Sequence, residues 1–159
     1  MREDLQRQIE ERLLDQYPRL YRLAYSYLKN ESDAQDAVQN GACKALRGWR
    51  SVQDARYLDT WLYRIVMNEA LTLLRARQRW SQDETALENE SVEDTYEDVD
   101  LHRAVDALGE PDRSIVTLRY FEELSLKEVA QVVDMPLNSV KSRLYRALEK
   151  LRGMLKEEN

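Results

Sequence analysis

Asn138, Ser139, Lys141, Ser142, Arg143 and Arg146 crowd into one short stretch near the C-terminal end of the chain. These types donate to base edges and phosphate oxygens: arginine forks match guanine, and short polar side chains suit the start of a helix, where bases and phosphates approach. Arg143 and Arg146 suit guanine edges or phosphates, Asn138, Ser139 and Ser142 are short donors, and Lys141 would flank a groove. Val140, Leu144, Leu148, Leu151 and Leu155 are interleaved at helical spacing, so the polar set shares the other side of one helix. The same spacing also describes a bundle helix with a solvated basic face.

A second set lies upstream. Leu62, Ile65, Val66, Ala70 and Leu73 predict the core side of a helix from about Tyr57 to Arg79, and Trp61, Arg64, Asn68, Thr72, Arg75 and Arg79 its outer side. Arginine and asparagine beside Trp49, Tyr57 and Trp61 provide the charge and stacking surfaces that single-stranded nucleic acid requires. The alternative for these aromatics, Trp61 above all, is core. Acidic residues from Glu84 to Asp100 raise a third chemistry, magnesium-dependent phosphoryl transfer. No phosphate-cradling glycine loop and no nucleophile with its base accompany them, which argues against an enzyme. Cys43 is the single cysteine and His102 the single histidine, so neither an internal disulfide nor a Cys/His zinc site can be assembled, and no cofactor is implied.

The charge distribution agrees with nucleic-acid contact despite a net charge of −6. Met1 to Arg79 carries 14 Lys/Arg and 11 Asp/Glu, and Leu101 to Asn159 carries 10 of each. Trp80 to Asp100 has nine acids and no basic residue, so the acidity is confined to one segment. Such a run predicts a solvated linker. Residues 1 to 17 are charged rather than apolar, and no run approaches the ~18 apolar residues of a membrane span, so the chain is expected to be cytoplasmic, without membrane insertion.

The elements that must position these residues are helices. Glycine and proline are scarce, and apolar residues recur at helical spacing almost everywhere outside the acidic segment. The expectation is an all-α protein of two small helical domains, residues 1–80 and 101–159, joined by an acidic linker at 81–100. Leu5, Ile9 and Leu13 predict a first helix, and Leu20, Leu23 or Ala24, and Tyr27 or Leu28 a second, with Pro18 in its first turn. Asn30 ends that run, Ser32 is the expected N-cap of the next helix through Ala34, Ala37, Val38 and Ala45, and Gly48 closes it. Further on, Val105 and Leu108 precede a stop at Gly109, and Pro111 opens a helix through Ile115, Val116, Leu118 and Arg119. Ser125 with Glu128 forms a capping box ahead of Val129, Val132 and Val133. Asp134-Met135-Pro136 then turns the chain into the last helix, giving the length and turn of a helix-turn-helix.

The words Leu-Ser-Leu-Lys-Glu-Val-Ala-Gln-Val-Val-Asp-Met-Pro-Leu-Asn-Ser-Val-Lys-Ser-Arg-Leu-Tyr-Arg-Ala resemble region four of the sigma-70 family, with Ser139 to Leu144 the most specific part. Asp33 to Gln39 and Trp61 to Asn68 resemble region two, in the right order. The resemblance, to the compact extracytoplasmic-function type, spans roughly Tyr21 to Leu155, without the region-one and full region-three domains of primary sigma factors. It implies a monomer that binds core RNA polymerase through the β′ clamp helices and β flap, with an anti-sigma factor as a candidate partner. Asn138, Ser139, Lys141, Ser142, Arg143 and Arg146 would then face the duplex minus-thirty-five element. Trp61, Arg64, Asn68, Arg75, Arg77 and Arg79 would face the melted minus-ten element, and Asp36 and Gln39 the polymerase. The acidic segment would thread the RNA path of the polymerase or serve as a tether. Asp134 and Asn138 stand where the family usually has glycine, and both types tolerate left-handed backbone. A stand-alone helix-turn-helix regulator is the rival; it would bind a symmetric operator as a dimer.

Overall fold

The computed structural model describes residues 2–83 and 96–157, and the chain divides into two compact units, Met1–Leu87 and Glu88–Asn159. The described residues form helices and their connecting turns. Most of the acidic segment expected to be a linker, residues 84–95, lies outside the described residues.

Three mutually packed helices make the first unit: α1 (Arg2–Leu28), α2 (Glu31–Arg47) and α3 (Leu58–Asp83). The two helices expected before Asn30 are one. Pro18 sits inside α1, where its ring cannot donate to the carbonyl four residues back. That residue, Leu14, is 80% exposed, so the proline falls on the solvent side, where water can take the place of the lost donor. The core side of α1 continues past it through Ile9, Gln16, Leu20, Leu23, Ala24 and Tyr27, all buried. Lys29 adopts left-handed backbone (φ 63°) and ends the helix.

The N-cap of α2 is Asn30, not Ser32. Its side-chain oxygen accepts from the Asp33 amide at 2.8 Å, a donor that the helix itself cannot satisfy. Ser32 stands exposed within the first turn. The buried side of α2 is Ala34, Ala37, Val38, Gly41 and Ala45, nearly all small, which lets its backbone approach α3 closely. At Gly41 a β-carbon would lie 3.0 Å from Cγ2 of Val66. Gly48 then closes the helix, its amide donating to the Lys44 carbonyl at 2.8 Å. Two short 3-10 turns, Trp49–Ser51 and Ala55–Tyr57, lead into α3.

Leu62, Tyr63, Val66, Met67 and Ala70 are buried along α3, while Ile65 and Leu73, expected among them, are half-buried at its flanks. Each large apolar side chain so covered contributes about 1.5–3 kcal/mol. The helix runs to Asp83, and the first helix of the second unit starts at Tyr96, so helix reaches into the acidic segment from both ends. Once a packed face has nucleated a helix, each added residue gains a hydrogen bond without a new nucleation cost.

The second unit consists of α4 (Tyr96–Asp106), α5 (Asp112–Val116), α6 (Leu126–Val133) and α7 (Leu137–Glu157). Gly109 (φ 76°) separates α4 from α5. Beyond α5 the chain widens into a π-helical turn, Thr117–Phe121, closed by the Glu122 amide on the Thr117 carbonyl at 3.1 Å. The capping box of α6 is complete: the Glu128 amide donates to Ser125 Oγ at 3.1 Å, and the Ser125 amide to Glu128 Oε1 at 2.9 Å. Asp134 takes the left-handed conformation (φ 57°) and ends α6, whereas Asn138 lies in the first turn of α7 and needs no such backbone. Val129 and Val132 of α6 and Ile115, Val116 and Leu118 are buried, as are Val140, Leu144, Ala147 and Leu151 along α7. The helices α5, α6 and α7 thus share one core, and the α6–α7 pair has the expected helix-turn-helix form.

Candidate nucleic-acid interface

In the first unit, Arg64, Asn68, Thr72, Arg75 and Arg79 follow one another at intervals of three or four residues, and all are exposed. That spacing places them in one stripe along α3, opposite the buried stripe. The Thr72 hydroxyl donates back to the Asn68 backbone carbonyl at 2.8 Å, one turn earlier. Trp61 stands three residues before Arg64 on the same side, half-buried, so one part of the indole packs and another meets solvent. Just ahead of α3, Tyr57 is 48% exposed, with the Arg56 guanidinium 5.8 Å from its ring centre. Arg50 lies in the same way 5.2 Å from the ring of Trp49. Asp54 accepts from the Arg56 side chain and amide, which holds its carboxyl below the ordinary range.

Arg77 does not belong to that stripe. Its Nη1 donates to the Leu28 carbonyl at 2.5 Å and stands 3.5 Å from the Asp33 carboxylate. It therefore satisfies the C-terminal end of α1 and the start of α2, a packing role that its position among arginines in the sequence conceals. Arg12 plays a comparable part at the other end of α3. It forms two parallel bonds of 2.8 Å to Asp59, which raise its already high pKa, and a 3.0 Å contact to Asp15. Lys44 of α2 pairs with the buried Glu69 of α3.

Asp36 and Gln39 are exposed on α2, away from its alanine-rich packed side, with Cys43 exposed one turn further along. Their face is polar and sits on a helix held close to α3 at Gly41.

In the second unit, Asn138, Lys141, Ser142 and Arg146 are exposed on α7, and Ser139 is half-buried. Arg146 Nε donates to the Ser142 carbonyl at 3.4 Å. Arg143 differs from the rest: its Nη1 is 3.1 Å from Asp112 Oδ1, and its side chain is only 39% exposed. The residue that sequence reasoning omitted is Tyr145, 67% exposed. It lies three residues after Ser142 and seven after Asn138, so the same spacing that gathered the others contains it.

Among the described residues no three His, Cys, Asp or Glu side chains converge as metal ligands. Glu84, Glu88, Glu90, Glu93 and Asp94, named for the magnesium chemistry, lie outside the described residues. No helix among the described residues is long and apolar enough to cross a membrane.

Comparison with known proteins joins the two helical faces. Residues 13–80 match the family described as Sigma-70 region 2, and residues 98–151 match Sigma-70, region 4. The chain is 41% identical over 142 residues to RNA polymerase sigma factor SigV of Bacillus subtilis, covering 87% of this chain and 86% of the relative. It is 30% identical over 159 residues to the ECF RNA polymerase sigma factor SigW of the same organism, covering 87% and 84%. Among solved structures, it is similar to the sigma factor RpoE of Bartonella quintana, crystallised in complex with the anti-sigma factor NepR. The TM-score there is 0.73 at 28% identity, over 94% of this chain and 98% of the other. CnrH, solved with the cytosolic domain of CnrY, shares the fold at a TM-score of 0.69 and 21% identity, over 95% and 89%. With both regions matched in order over most of its length, the chain belongs to the sigma-70 family, as an RNA polymerase sigma factor of the extracytoplasmic-function type.

Proposed function

We propose that this protein binds core RNA polymerase as a single copy and directs initiation at promoters by reading two unlike elements, one with each unit. The observation that carries the reading is the pair of exposed polar stripes, Arg64 to Arg79 on α3 and Asn138 to Arg146 on α7, within the segments matched to regions two and four. The α7 stripe follows a turn suited to a helix-turn-helix, so Asn138, Ser139, Lys141, Ser142, Arg143 and Arg146 are assigned to the duplex minus-thirty-five element, with Tyr145 beside them. The α3 stripe combines arginine, asparagine and a half-buried indole, which suits the unpaired bases of the minus-ten element. Trp61, Arg64, Asn68, Arg75 and Arg79 are assigned there. Arg77 supports that surface by packing rather than by contact.

Asp36 and Gln39 are assigned to the polymerase β′ clamp helices, and the second unit to the β flap. The protein acts as an initiation factor on cytoplasmic polymerase and not as a catalyst, so no cofactor enters. Because a similar protein, RpoE, has been crystallised with an anti-sigma factor, such a protein is the proposed regulator of this one. Domain limits of 1–80 and 101–159 are proposed for the two binding functions, with the acidic stretch between them as tether or as occupant of a basic polymerase channel.

The deciding experiment is run-off transcription with core polymerase on genomic fragments. Addition of the protein should yield transcripts from specific start sites preceded by two recurring elements. No specific initiation by active core would overturn the reading. Binding of a palindromic duplex by a dimer without polymerase would favour a stand-alone regulator instead.

A further inference from the structure

Of the six side chains assigned to the minus-thirty-five element, Arg143 is the one tied by an ion pair to another helix among the described residues. Its partner, Asp112, lies 31 residues earlier in the first turn of α5, with its side chain only 17% exposed. The contact is a single one, Nη1 to Oδ1 at 3.1 Å. A guanidinium has five N–H donors in a rigid fork, so one bond to a carboxylate restrains where the group sits and leaves other donors for a ligand.

We infer that Asp112 is a positioning residue for DNA reading: it holds Arg143 in one orientation and withholds it from indiscriminate phosphate contact. The inference rests on the reading of α7 given above. Two physical effects lead to it. An unrestrained arginine loses rotamer freedom when it meets DNA, whereas one already held by Asp112 loses that freedom on folding, so a well-aligned base edge gains in relative affinity. The carboxylate also repels a phosphate that would compete for the same guanidinium, which weakens binding to any sequence. Asp112 should therefore lower general affinity for DNA while raising the preference for the correct element. A purely structural pair would affect both affinities in the same direction.

The test compares wild type with Asp112→Asn, each as holoenzyme with core polymerase. Competition is between a promoter duplex carrying the intact minus-thirty-five element and one with that element scrambled. The expected result is a preference reduced about five- to tenfold, with affinity for the scrambled duplex unchanged or increased. Asp112→Glu should restore part of the preference. In an Arg143→Gln background, Asp112→Asn should change nothing further, and this comparison reads the coupling even if each variant is less stable. The proposal is overturned by an unchanged preference, by loss of both affinities together with a lowered melting temperature, or by a full Asp112→Asn effect in the Arg143→Gln background. Wild-type holoenzyme indifferent to the scrambled element removes the reading of α7 itself, and with it this role for Asp112.

Discussion

Arg75 and Arg77 stand two positions apart on α3 and serve different ends. Arg75 is exposed in the outward stripe, while Arg77 bonds the Leu28 carbonyl and neighbours Asp33. Arg77→Ala should therefore lower the stability of the first unit by about 1–2 kcal/mol, since bonds from a charged donor exceed neutral ones. Thermal unfolding would show it as a fall of several degrees. Arg75→Ala should leave unfolding unchanged and weaken capture of melted minus-ten DNA, read by permanganate reactivity of promoter thymines. Equal melting temperatures for the two variants would remove the distinction. Sequence made the outward stripe legible because a period of 3.6 residues governs Arg64, Asn68, Arg75 and Arg79. The same period sets Arg77 off that stripe, but its partners depend on where the end of α1 falls in space. Arg143 is a similar case, because Asp112 meets it only after folding.

At the scale of elements, the capping box of α6 was legible because its two donors and two acceptors lie on residues three apart, within one local motif. Ser125→Ala should cost about 1 kcal/mol, through loss of the cap for the Glu128 amide. Melting of the second unit, followed by circular dichroism, measures it. The merger of two expected helices into α1 was not legible, since Pro18 ordinarily marks a helix start, and only its solvent-side placement makes an interior position tolerable. Nor was the cap at Asn30, because Asn30 and Ser32 are both good N-cap types and the choice depends on the left-handed Lys29 before them. Gly41 makes a sharper demand. Its missing β-carbon lets α2 seat against Val66, so Gly41→Val should destabilise by about 1–3 kcal/mol through overpacking. Because α2 would be displaced outward, polymerase affinity should fall more than that of the Ser125→Ala protein. Core-binding titrations of the two variants test the difference.

For the whole molecule, the distribution of charge matters more than its sum. The helical architecture and the two faces were readable from pattern. The extent of helix at the edges of the acidic segment was not, because like charges argue for solvation but do not forbid helix that begins on a packed core. Replacing the nine acids from Asp83 to Asp100 by Asn and Gln should raise non-specific duplex binding by the isolated protein about tenfold at low salt, by removing like-charge repulsion. The gain should vanish as salt increases, and anisotropy titrations at several ionic strengths would record it. An unchanged affinity at low salt would show that the segment exerts no such repulsion. The exposed Cys43 has a practical consequence of its own. As the chain's single thiol, one turn beyond Gln39, it accepts a maleimide dye at a unique place without mutagenesis. A fluorophore there should report engagement of α2 when core polymerase is added and stay silent when duplex DNA is added alone, so that assembly can be timed separately from promoter recognition.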